Sequence, residues 1–278
     1  MNLDSESSSP LAPPIAPKHP HRLTMHGDER IDAYYWLRER DNADVLAYLE
    51  AENAYTKAQM SHTEALQAAL YDEMLSRIQE TDLSVPYRKG AYYYYTRTET
   101  GKAYPIFCRK RGVLAAPEEI LLDQNALAEG FDFLELGVLT VSPDHRILAY
   151  SIDTTGAERY TLKFLNLATR EHLPEEILDT AAVVWGNDNQ TLFYAQLDDA
   201  NRPYKLWRHR LGQAGDDELL HHEPDDFFYL NVGKTRSEAY VLLVLESKVT
   251  SEVHFLDASK PNGQFQVIQP RSQGVEYG

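Results

Sequence analysis

With 278 residues and 43% hydrophobic content, the chain can bury a sizeable core, in one large domain or two smaller ones, and is not a disordered tail. Its 43 acidic side chains against 27 basic ones leave a formal charge of −16, which disfavours nucleic acid and anionic membrane surfaces as partners. The single cysteine, Cys108, cannot form an internal disulfide and is expected as a small buried side chain on a strand, in a reducing compartment.

In chain order, "MNLDSESSSPLAPPIAPKHPH" has neither a basic leader nor a continuous apolar core. It is expected to be neither secretory signal nor membrane anchor, which makes the cytoplasm the expected location. Its Ser and Pro content predicts a flexible arm over residues 1–25. Residues 26–82 are expected to form a helical extension, because from Asp32 to Asp82 Gly and Pro are absent and apolar residues recur three or four apart. Within it, "HGDERIDAYYWLRERDNADVLAYLEAENAYT" reads as an extended lead-in and a capped helix, with Tyr35, Trp36 and Leu37 inward. Asp41 is the expected cap of a helix through Val45, Leu46 and Leu49, and "SHTE" at Ser61–Glu64 reads as a capping box opening a second helix. The two are expected to form a hairpin with one face buried, marked by Leu66, Leu70, Met74 and Ile78 at spacing four. Pro86 ends the helical pattern.

Beyond Pro86 the period becomes alternating, and the stretch repeats. At an offset of 44, Asp144 falls on Asp188, Leu148 on Leu192, Tyr150 on Tyr194, Tyr160 on Tyr204, Leu162 on Leu206 and Leu167 on Leu211. At an offset of 56, Tyr92, Tyr94, Tyr104 and Ile106 join the same register. A weaker fourth copy runs from Phe227 to about Pro270 and holds "AYVLLVL", which has the length of a buried strand. Residues 83–278 are therefore expected to be mainly β, a partial β-propeller of about four blades of four strands. A blade is covered on both sides, so the four tyrosines of "GAYYYYTRTETGKAYPIFCRK" can serve both faces: Tyr92 and Tyr94 one neighbour, Tyr93 and Tyr95 the other.

No catalytic motif stands out. There is no GxSxG elbow, Walker A loop, GxGxxG or HExxH. Ser7–Ser9 sit in the polar arm with no base nearby; His19, His21, His26, His221 and His222 lack metal-ligand spacing and are expected on the surface or in turns. The pairs Asp198 with Asp199 and Asp225 with Asp226 are expected in turns. Catalytic, metal and cofactor sites are thus expected to be none, with the substrate-binding residues open.

The stretch His26–Thr56, with "YYYYTRTETGKAYPIFCRKRG" and "SPDHRILAYSIDTTGAERYTLKFLNL", resembles the N-terminal region of the prolyl oligopeptidase family of serine peptidases, and within it the oligopeptidase B members. The resemblance covers nearly the whole chain after the first dozen or so residues. It implies a seven-bladed propeller joined to an α/β-hydrolase domain on which the N-terminal helical segment packs, a filter admitting oligopeptides, and cleavage after Arg or Lys. The family's catalytic Ser, Asp and His, and its acidic specificity residues, follow the propeller and map onto no position here. The expectation is a gating part that lacks the triad and is inactive alone. The alternative is a non-enzymatic, closed four-bladed binding module, whose closure requires a strand from one end to complete the blade at the other.

Overall fold

The computed structural model describes residues 12–213 and 215–278, so Ser7–Ser9 and the start of the arm lie outside the described residues. The chain divides into two units, residues 1–79 and 80–278.

In the first unit, β1 (His21–Met25) and β2 (Asp28–Asp32) form an antiparallel hairpin, so strand begins inside the stretch expected as an arm. Its two turn residues, His26 and Gly27, both have positive φ (53° and 84°), as the tightest hairpin turns require. Trp36 follows on a short 3-10 turn, 7% exposed, with Nε1 donating to the Pro17 carbonyl at 3.0 Å and the ring stacked on His19.

Helix α1 (Ala43–Met60) is capped by Asn42, whose Oδ1 accepts from the Asp44 amide at 2.9 Å; the cap is one residue beyond the expected Asp41. The two expected helices are present and are joined by a single 3-10 turn. A 3-10 turn, Ser61–Thr63, leads straight into α2 (Glu64–Ser76), and Met60, Ser61 and Thr63 all keep right-handed helical dihedrals. No residue between the helices has a positive φ. The "SHTE" hydroxyls do not cap: Ser61 Oγ and Thr63 Oγ1 donate backwards to the Ala58 and Met60 carbonyls. The stripe expected to be buried is open, with Leu66 60%, Leu70 47%, Met74 60% and Ile78 62% exposed.

The second unit holds four antiparallel sheets, each built from four consecutive strands. The first comprises β3 (Tyr87–Lys89), β4 (Tyr92–Arg97), β5 (Ile106–Arg111) and β6 (Glu118–Asp123), followed by the short helix α3 (Gln124–Leu127). The second comprises β7 (Glu135–Val141), β8 (Ile147–Asp153), β9 (Thr161–Asn166) and β10 (His172–Ile177). The third has β11 (Thr180–Trp185), β12 (Thr191–Leu197), β13 (Pro203–Arg210) and β14 (Glu218–His222). The fourth has β15 (Tyr229–Lys234), β16 (Tyr240–Glu246), β17 (Ser251–Asp257) and β18 (Gln266–Gln269). The 44-residue repeat is literal, since β8 and β12 begin and end at matching positions. The unit is a partial β-propeller. Among the described residues no strand is shared between the first and last sheets, so the closure that a four-bladed module needs is not made this way.

Alternation explains the burial of both faces. Leu148 and Tyr150 of β8 pack with Tyr94 and Leu122 of the first sheet, while Ala149 between them joins Phe164, Val183, Trp185 and Leu192. On β12, Leu192 and Tyr194 face the second sheet, and Phe193 and Ala195 face Leu230, Val241 and Leu243 of the fourth. The tyrosine run behaves in the same way at the first sheet. Tyr94, with Tyr92 beside it, joins the second sheet's core, and Tyr95 packs on the other face with Ile106 and Cys108. Cys108 is 1% exposed, and burial pushes its thiol up to about 11, which makes it an inert core residue.

Candidate functional site

The connections between strands are the places where side chains of different sheets meet. At one end, the turns joining first to second strands place Gly90, His145, Asn189 and Glu238 at positive φ, between 57° and 63°. These turns touch in sequence. A Cβ on Gly90 would lie 2.6 Å from His145 Nε2, so the first and second turns are in contact at a position only glycine fits. The Asp144 amide donates to Asn189 Oδ1 at 2.8 Å, and Asn187 Nδ2 donates to the Glu238 carbonyl at 3.0 Å. Lys89 Nζ lies 3.0 Å from Glu238 Oε1, joining the fourth turn to the first sheet. His145 Nδ1 is hydrogen-bonded to the Tyr94 hydroxyl at 2.6 Å, and Arg109 Nη1 donates to its carbonyl at 2.7 Å. Burial first, then Lys89 and Arg109, lowers the His145 pKa; burial also pushes Tyr94 up to about 12.

At the other end lie the second-to-third-strand turns. Asp153 accepts from the Thr155 and Glu158 amides at 2.8 and 2.7 Å. Asp198 accepts from the Ala200 and Arg202 amides, both at 2.9 Å, and pairs with Arg202 Nε at 3.0 Å. Burial alone would raise the Asp198 pKa, but the bonds from Arg202 and Ala200 hold it below the ordinary value. Arg202 is 8% exposed and its Nη1 donates to the Asp225 and Phe228 carbonyls at 3.0 and 3.1 Å, while Nη2 pairs with Asp226 at 3.2 Å. It thereby fixes the loop before β15. That loop walls a cavity of about 840 Å³ with Asp226, Phe227, Tyr229, Glu246, Lys248 and Val249 among its lining. Carboxylates beside aromatic rings suit a cationic side chain.

Asp198 and Asp225 sit in turns and accept from backbone amides, Asp225 from Phe227 at 3.0 Å. His19 and His21 stack on Trp36 and Tyr35, and His26 occupies the hairpin turn. His221 departs from its expected surface or turn setting. It lies half-buried on β14, its Nε2 3.9 Å from buried Glu223, which pairs with Arg271 at 2.5 Å, while His254 and Glu252 pair at 2.8 Å alongside. Burial lowers the His221 pKa against the pull of Glu223. These partners come from three separated segments, so no local spacing announces them. Arg202 was findable, since its carboxylate partner lies four residues earlier. None of these groups forms a nucleophile with its base.

The family described as prolyl oligopeptidase, N-terminal beta-propeller domain, matches residues 13–278. The chain belongs to this family. Among curated proteins, dipeptidyl aminopeptidase BI of Pseudoxanthomonas mexicana is 41% identical over 296 aligned residues, covering 99% of this chain and 41% of that protein. Protease 2 of Moraxella lacunata is 37% identical, covering 95% of this chain and 40% of that protein. Oligopeptidase B from Leishmania major superposes on 96% of this chain, and 41% of its own, with TM-score 0.89 and 33% identity. The chain thus spans about two fifths of the length of the curated relatives it matches. Among the described residues no helix is long and apolar enough to cross a membrane.

Proposed function

We propose that the chain is the gating propeller, with its helical extension, of an oligopeptidase B-like serine oligopeptidase that cleaves peptides after Arg or Lys. The observation that carries this reading is the superposition of 96% of the chain on oligopeptidase B from Leishmania major at TM-score 0.89. The cavity beside Arg202, with Asp226 and Glu246 next to Phe227 and Tyr229, supports it as a surface suited to basic peptides. In this reading the nucleophile, base and oxyanion donors belong to an α/β-hydrolase partner domain. The sheets admit oligopeptides and exclude folded proteins, and the open Leu66, Leu70, Met74 and Ile78 stripe is where that domain packs. A cytoplasmic setting belongs to the same proposal, in keeping with the lone, inert Cys108.

The test is to assay the 278-residue chain, and any longer product of its locus, with fluorogenic peptides ending in Arg and in Pro. The expected outcome is no hydrolysis by the chain alone and cleavage after Arg by the longer product. Turnover by the chain alone, or a longer product that prefers Pro, overturns the proposal.

A further inference from the structure

The turns that carry His145, Asn189 and Glu238 meet around a second, smaller cavity of about 190 Å³, lined by Lys89, Val184, Trp185, Lys234, Arg236 and Glu238 among others. In a chain of net charge −16, this wall presents three cations against one carboxylate. Lys234 Nζ is held by Asn187 Oδ1 at 2.6 Å and lies 3.6 Å from Glu238 Oε2, with its side chain only 15% exposed. Burial lowers its pKa, the mark of a cation short of counter-charge. Glu238 is shared between Lys234 and Lys89, and Arg236 stands exposed at the rim. Trp185, 3% exposed, lines the same cavity, where its ring can report on occupancy. Lys89 and Lys234 bring two ammonium groups from two sheets onto Glu238, and Arg236 adds a third cation, more positive charge than one carboxylate can match.

We propose that this cavity binds a small oxyanion, a carboxylate or phosphate group, held by Lys89 and Lys234, with Glu238 as the internal carboxylate it competes with. The site needs no catalytic half and is independent of the peptidase reading. Its size admits a single such group rather than a folded segment.

The charge logic gives opposite signs to two kinds of variant. Lys234→Gln and Lys89→Gln each remove a charged donor and weaken binding about tenfold or more, whereas Glu238→Gln removes the competitor and tightens it. The 278-residue chain is titrated at constant ionic strength with inorganic phosphate, acetate, N-acetylalanine and its amide, against a chloride control, following tryptophan fluorescence. Saturation by phosphate but not chloride identifies an inorganic oxyanion; saturation by N-acetylalanine but not its amide identifies a peptide carboxyl terminus. A purely structural cluster would move all three variants alike. A response that never saturates with any oxyanion, or variants that shift in the same direction or not at all, overturns the proposal.

Discussion

The N-terminal helices and the sheets treat their apolar residues in opposite ways. In the sheets, Phe193, Leu148, Leu162 and Phe164 are 0% exposed; on α2, Leu66 and Met74 are each 60% exposed, at a spacing that would serve a core equally well. The difference teaches that a pattern specifies a face and not what covers it. A four-stranded sheet finds its cover in the next repeat, which the same chain supplies, whereas an exposed apolar stripe on a helix depends on a surface from elsewhere.

Three measurements sharpen or break that contrast, the largest effect first. Phe193→Ala removes a ring packed between the third and fourth sheets and is expected to destabilise the sheet unit by about 3–5 kcal/mol, read by urea unfolding in a Trp36→Phe background so that Trp185 and Trp207 report. A loss below 1 kcal/mol would mean the sheets do not share a tight core. Acid comes next. His145 and His221 both have pKa values lowered in the folded unit, so the unfolded chain binds more protons as pH falls below about 6.5. Stability is therefore complete above that pH and declines below it, by at most about 1.4 kcal/mol per pH unit for each group. A melting temperature that is flat from pH 7 to 5, or that rises on acidification, contradicts this. Leu70→Ala on α2 is the smallest, within about 0.5 kcal/mol on the chain alone, because the side chain is already exposed and Ala favours helix. A large loss there would show the stripe to be covered, and the contrast between the two regions would fail.

Much of the sheet unit was legible because its information is periodic. The 44-residue offset that pairs Tyr150 with Tyr194 places β8 and β12 correctly, and adjacent tyrosines on β4 imply cover on both faces. The helical stretch was half legible. Its helices stand where spacing puts them, but the capping box read at Ser61–Glu64 is not made, since the hydroxyls of Ser61 and Thr63 turn back to the preceding carbonyls. The sites were least legible. The loop that Arg202 fixes and the pairs around His221 join residues tens of positions apart, and composition shows none of them. Of the turn residues, Asn189 and His145 are types that take left-handed geometry more readily than most, whereas Glu238 gives no such sign.

The ion pair between Lys89 and Glu238 has a bearing on how the molecule assembles. Every sheet is a local meander whose strands can zip as soon as they are made, closing only short loops. This one bond joins the first strand of the first sheet to a turn of the last, so it cannot form until the whole intervening chain is in place. During synthesis the lysine emerges early and waits for its glutamate. Their meeting marks the moment at which all four sheets are in place, while the apolar cores shared between neighbouring sheets supply the holding force.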